Sequence, residues 1–237
     1  MEEFNETELW PREVSGAREI QEILSKRVCI TPLKEKPSLI AGVDASYCDH
    51  TVIAIASLFT YPDLEHLADS FFQEKAIFPY IPGYLSFREG HALMEALKRL
   101  PRAPDLVLCD GQGIAHPRGI GVASHIGVLM GIPTIGCAKS RLVGEFDLPP
   151  SAKGRWTYLV YQGRNVGAVL RTRNGVKPVF VSPGHLMDIP SSVEIVMGSM
   201  GRFRLPEPLR RADSLSRGLR RGDSAEPPCT SSNGRRR

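Results

Sequence analysis

The sequence predicts an α/β fold: a mixed sheet, made of a three-strand antiparallel meander plus parallel strands, flanked by helices. Three observations predict it. Strand-like runs at 39–47, 51–61 and 66–76 are joined by links of three and four residues, which makes them antiparallel neighbours. Two shorter apolar runs, 105–110 and 133–138, alternate with helix-like segments, the pattern of parallel strands with right-handed crossovers. The composition fits a folded chain. Of 237 residues, 42% are hydrophobic and 24% charged, which allows a sizeable core and argues against global disorder.

Taken in order, residues 13–28 place Val14, Ala17, Ile20, Ile23, Leu24 and Val28 at helical spacing. This reads as a packing helix, and no function is legible in it. Residues 29–38, with Pro32 and Pro37, form a connector. The strand 39–47 (LIAGVDASY) follows, then TVIAIASLFTY at 51–61, whose nearly continuous apolar content predicts burial on both faces. The third strand covers 66–76. Residues 77–85 (IFPYIPGYL) cannot be helical, because Pro79, Pro82 and Gly83 break the segment. Its apolar load is unusual for a loop. A helix is predicted over 86–100, ended by Pro101 and Pro104, then strand 105–110, a small-residue helix over 119–130 and strand 133–138.

The resulting order, β-β-β-α-β-α-β, is the ribonuclease-H-like arrangement. Its first and fourth strands lie side by side, which would bring Asp44 and Asp110 together at adjacent strand ends. Beyond this core, 156–161, 166–171 and 179–182 predict a small antiparallel sheet, with turn signals at 162–165 and 174–175. Helices are predicted over 188–198 and 205–221. Residues 222–237 have no periodicity and read as a disordered basic tail. Residues 1–221 are expected to form a single domain, acting as a monomer.

Net charge is +4, but residues 217–237 hold six Arg against one Asp and one Glu, so the remaining 216 residues sum to zero. Any basic surface on the folded part is therefore local. No apolar run approaches the ~20 residues that span a bilayer, and the acidic start MEEFNETELWPRE excludes an ordinary signal peptide. The five Cys form no CxxC pair. A cytoplasmic protein with reduced thiols and no membrane partner is expected.

The candidate chemistry centres on 105–121, DLVLCDGQGIAHPRGIG. A buried strand delivers Asp110 into a loop punctuated by Gly111, Gly113, Gly119 and Gly121, and α/β sheets place ligands at such strand ends. The alternative is a loop Asp bonded to its own backbone. Two carboxylates at neighbouring strand ends repel unless a cation lies between them, so Asp44 and Asp110 are candidate ligands for Mg²⁺, with Mn²⁺ as a substitute. Such ions serve phosphate chemistry. Glu89 is a third carboxylate, but Ser86-Phe87-Arg88-Glu89 also matches a capping box, which the residues alone favour. Lys139 could neutralise a phosphate, or be an ordinary exposed lysine. Among the histidines, His116 is the one expected to touch a ligand, and His125 reads as structural. The loop Pro79-Tyr80-Ile81-Pro82 is either an apolar wedge of the kind that unstacks DNA or a segment folded onto the core.

These motifs together resemble one family, endonuclease V, the deoxyinosine-directed repair nucleases. The resemblance runs through AGVDASY (41–47), FPYIPGYLSFREG (78–90), DGQGIAHPRGIGVASHIGV (110–128), GCAKSRLVG (136–144), SPGH (182–185) and RLPEPLRRAD (204–213), in order over about 170 residues. It departs from the expected pattern at Met187 and Pro190 and in the tail, none of which touches the proposed site.

The resemblance implies divalent-metal-dependent hydrolysis of the second phosphodiester bond 3′ of deoxyinosine in DNA, leaving 3′-hydroxyl and 5′-phosphate ends. Asp44, Glu89 and Asp110 would hold the metal, which overturns the cap-only reading of Glu89. Lys139 would contact the reacting phosphate. Pro79, Tyr80, Ile81 and Pro82 would be the wedge. Gly83, Leu85, Gly111, Ile120, Gly121 and Leu142 would surround a flipped hypoxanthine, which differs from adenine in carrying a carbonyl acceptor where adenine has an amino donor. Asp213 lies where the last helix approaches the metal, with its role open. Two alternatives stand: an endonuclease for inosine-containing RNA, and a non-catalytic reader of deaminated nucleic acid.

Overall fold

Burial fixes the centre of the molecule. Strand β2 (Thr51–Thr60) is buried at eight consecutive positions, Val52 to Phe59, which requires cover on both faces of its sheet. The computed structural model describes residues 9–221; the tail predicted over 222–237 lies outside the described residues. Strands β1 (Leu39–Cys48) and β3 (His66–Lys75) flank β2 antiparallel, completing the meander. Strand β4 (Leu106–Cys109) runs parallel to β1, with Cys109 opposite Val43, and β5 (Thr134–Ala138) runs parallel to β4.

The strands of residues 156–185 do not form a separate sheet. Strand β8 (Val179–His185) pairs antiparallel with β5, and β7 (Arg164–Leu170) and β6 (Trp156–Tyr161) follow it outward. The result is one eight-stranded sheet, β3-β2-β1-β4-β5-β8-β7-β6. The reason is apolar content on both faces: Ala168, Val169, Leu170 and Val181 are all fully buried, so β7 and β8 need the same two covering layers as the core.

Among the described residues, five helices supply those layers: α1 (Val14–Ser25), α2 (Leu85–Lys98), α3 (Val122–Met130), α4 (Ile189–Gly198) and α5 (Glu207–Arg221). On β1, alternate residues Leu39, Ala41 and Val43 pack with Leu93, Leu97 and Ile126 of α2 and α3. The intervening Ile40 faces Val196 and Leu209 of α4 and α5. Gly42 lies on this second face. A Cβ there would fall 2.2 Å from the Pro208 carbonyl carbon, so the first turn of α5 rests directly on β1. Helix α1 sets Ala17, Ile20 and Leu24 against Phe78, Tyr84, Phe87 and Ile120. Helix α3 begins at Val122 rather than 119, because Gly119 takes a left-handed φ of 68°. No helix among the described residues is long and apolar enough to cross a membrane.

Candidate active site

The parallel pairing of β1 with β4 puts Asp110 directly beside Asp44. The Asp110 amide donates to the Val43 carbonyl at 3.2 Å, and Asp44 is the next residue on β1. Asp213 joins them from α5, which is braced on the same face of β1. One carboxylate oxygen from each of the three lies within 4.8 Å of the others. The sequence left Asp213 open. Its signal is Gly42, a glycine inside a strand, which marks a close backbone approach and is where α5 crosses.

Lys139 follows β5 and projects into this cluster. Its Nζ donates to Asp110 Oδ2 at 2.6 Å and to Asp213 Oδ1 at 2.8 Å. Burial alone would lower the Lys139 pKa, but the charges and hydrogen bonds of Asp110 and Asp213 outweigh it and raise it, so the ammonium stays charged. Arg217 also donates to Asp213, at 2.7 Å. Asp44 is pushed up to about 6 by burial first and by the charge of Asp110 second. The Ser216 hydroxyl, donating at 2.7 Å, pulls the other way.

Glu89 stands next to this trio, on the second turn of α2. It is 6% exposed and accepts a hydrogen bond from Tyr47 Oη at 2.8 Å. Burial raises it to about 8, and Asp44 and Asp110 add to the rise. The capping-box reading does not hold: α2 begins at Leu85, Ser86 is already inside the first turn, and no side chain caps the helix. Tyr47, inside AGVDASY, has no role legible in the sequence. Its hydroxyl is held protonated by burial and by Glu89, and the Arg88 guanidinium lies 4.5 Å over its ring.

Asp44, Asp110 and Asp213 therefore meet Lys139 and Arg217, with Glu89 and Arg88 alongside. An all-oxygen set of carboxylates suits a hard dication, and the three aspartates can coordinate one.

Beside the cluster a cavity of about 320 Å³ opens. Asp110 and Lys139 form one wall together with Gly111, Gly121 and Leu142. Tyr80, Ile81, Pro82, Gly83 and Leu85 line the cavity from the proline-rich segment, and His116 also lines it. Two predicted residues lie elsewhere. Pro79 is exposed and does not line the cavity. Ile120 is fully buried against Ala17, Ile20 and Leu24, because its side chain is needed to seat α1. Gln112, not singled out by the sequence, does line the cavity and donates to the Ser140 carbonyl at 3.0 Å.

Both readings of the proline-rich loop have a counterpart. Phe78 and Tyr84 are folded onto the core, while Tyr80 between them is 70% exposed. His116 is pushed down to about 4 by burial and is neutral near pH 7. Its Nδ1 accepts from the Arg118 amide at 3.2 Å, so Nε2 carries the hydrogen and donates to the Gly83 carbonyl at 2.9 Å. His125 is fully buried, stacked on Trp10 at 5.1 Å, and has no contact with the cavity.

Comparison with known proteins places this geometry. The family model for Endonuclease V matches residues 22–214. The Endonuclease V of Geotalea uraniireducens (strain Rf4) is 50% identical over 204 residues, covering 86% of this chain and 87% of that protein. The crystal structure of the Streptomyces avermitilis Endonuclease V superposes with a TM-score of 0.86 at 39% identity, covering 91% of this chain and 96% of that one. Ciona intestinalis Endonuclease V, crystallised with a 24mer DNA containing an inosine followed by a ribo-adenosine, matches with a TM-score of 0.78 at 25% identity, over 90% of this chain and 100% of that one. The chain belongs to the Endonuclease V family.

Proposed function

We propose that this protein is a metal-dependent DNA repair endonuclease that recognises deoxyinosine and hydrolyses the second phosphodiester bond 3′ to it, leaving 3′-hydroxyl and 5′-phosphate ends. The observation that carries the reading is the meeting of Asp44, Asp110 and Asp213 at the edge of a base-sized cavity. Family membership supports the nuclease class, and the inosine-containing DNA bound to the Ciona relative supports the substrate.

Mg²⁺ would be held by Asp44, Asp110 and Asp213, with Glu89 completing the acidic wall. When bound, the ion supplies Lewis acidity and offsets phosphate charge. The chain's own groups do the rest. Lys139, kept charged by its carboxylate partners, presents an ammonium where the phosphate would lie. Tyr80, stiffened between two prolines and exposed, fills the gap that a displaced base leaves. The wall around Gly83, Leu85 and Gly111 would offer backbone N–H groups that donate to a purine carbonyl and leave adenine's amino group unpaired. Intact carboxylates argue against a reader without catalysis.

The test is cleavage of matched oligonucleotides carrying deoxyinosine, inosine or adenine, with and without Mg²⁺. Metal-dependent nicking one nucleotide beyond the deoxyinosine linkage supports the reading. Cutting of RNA alone moves the assignment to inosine in RNA. Binding without any cut refutes the nuclease.

A further inference from the structure

We propose that Gln21 of α1 is a positioning residue for the strand-separating loop, holding the Gly83 carbonyl so that Tyr80 stays presented to nucleic acid. This rests on the wedge reading given above.

Gln21 is the polar exception on the buried face of α1. Ala17, Ile20 and Leu24 share that face, and Gln21 among them is 0% exposed. Burying an amide is costly unless both of its ends are bonded, and here both are. Nε2 donates to the Gly83 carbonyl at 2.9 Å, and Oε1 accepts from Arg118 Nε. A carbonyl needs a donor and a guanidinium needs an acceptor. Glutamine offers one of each; glutamate or lysine would serve only one partner.

The carbonyl it grips receives two more donors, His116 Nε2 and Arg118 Nη2, each at 2.9 Å. Three side chains from two distant segments thus converge on one oxygen that has two lone pairs. Gly83 is where such a grip matters. Its φ is +83°, and glycine is the residue most free to rotate its peptide away. That peptide plane sets how the loop returns from Pro82 into Tyr84. Arg118 also covers the Tyr84 ring at 4.3 Å, and Tyr84 and Phe78 pack on the same α1 face. The base of the loop is therefore fastened to α1, while its tip stays free.

The experiment compares Gln21→Glu and Gln21→Met with the native chain on two substrates. One is a duplex holding deoxyinosine opposite thymine, and the other is the same strand alone. Gln21→Glu keeps an acceptor for Arg118 and withdraws the donor from Gly83. The expected result is a fall of about three- to tenfold in the ratio of duplex to single-strand kcat/KM, the size of one buried hydrogen bond. An unchanged ratio, whether both activities hold or both drop together, reduces Gln21 to a packing role and overturns the proposal. If Gln21→Met does not fold, Gln21→Glu decides alone. Tyr80→Ala serves as the reference: if it leaves the ratio intact, the wedge reading fails, and that failure is visible separately from the behaviour of Gln21.

Discussion

His125 makes the protein sensitive to acid in a way that a single substitution should remove. Burial, with the nearby His116 adding to it, pushes the His125 imidazole down to about 3. Both ring nitrogens lack a hydrogen-bond partner among the described residues. The folded chain therefore keeps this ring neutral at pH 5, while the unfolded chain protonates it below ~6.5. The unfolded state then binds the extra proton, so stability is full above ~6.5 and is lost as pH falls toward the folded value. At pH 5 the loss is about 1.5 pH units at 1.36 kcal/mol each, or ~2 kcal/mol. Its size does not depend on the folded value so long as that lies well below 5. Asp44 and Glu89 titrate in the opposite sense, since their folded values are raised to about 6 and about 8. The informative quantity is therefore the difference between two chains. His125→Phe keeps the stack on Trp10 and the edge contact with Phe87 at 5.1 Å. Urea unfolding of both chains at pH 7.5 and pH 5, followed by tryptophan fluorescence, should show the variant spared ~2 kcal/mol of acid loss. Equal losses in the two chains would refute the reasoning.

Asp213→Asn should raise the Mg²⁺ concentration for half-maximal cleavage at least tenfold, by analogy with the loss of groups that support a metal; an unchanged Mg²⁺ titration would leave Asp213 only the task of anchoring Lys139. Asp110→Ala should abolish cleavage while substrate binding persists, and activity regained in excess Mg²⁺ would contradict its place as a ligand. Removal of residues 222–237 should weaken binding to undamaged DNA at low salt and leave the cleavage rate intact. A truncated chain that folds but does not cut would give the tail a role in the reaction.

The half of the sheet from β1 to β5 was legible because its signals are local. Links of three and four residues force antiparallel pairing, and strand–helix–strand order forces the parallel pairs. The pairing of β8 with β5 was not legible. It joins Gly136 to Ser182, and nothing in either segment names the other. The two aspartates of the site followed from strand order. Glu89 did not, because S-x-x-E is also a cap, and only the start of α2 at Leu85 separates the two meanings. The role of Asp213 stayed open in the sequence, and Gln21 was not singled out, for a shared reason. Each lies on a helix whose register against the core is set by tertiary contact, with Pro208 on Gly42 for one and Leu24 on the Phe78 cluster for the other.

The bracing of α5 on β1 also has a consequence in time. Asp44, Glu89, Asp110 and Lys139 leave the ribosome early, but Asp213 and the Ser216 hydroxyl that holds Asp44 arrive with the last helix. Domains fold as units, and Ile40 of β1 needs Leu209 of α5 as cover, so the sheet and the acidic cluster are completed together. A chain interrupted before residue 213 contains the segments that form the loop at 79–82 and the cavity walls but lacks the third carboxylate. Interruption there removes the third carboxylate of the cluster and the α5 cover of β1 together, so the candidate metal site cannot be completed before the helix that completes the fold has been made.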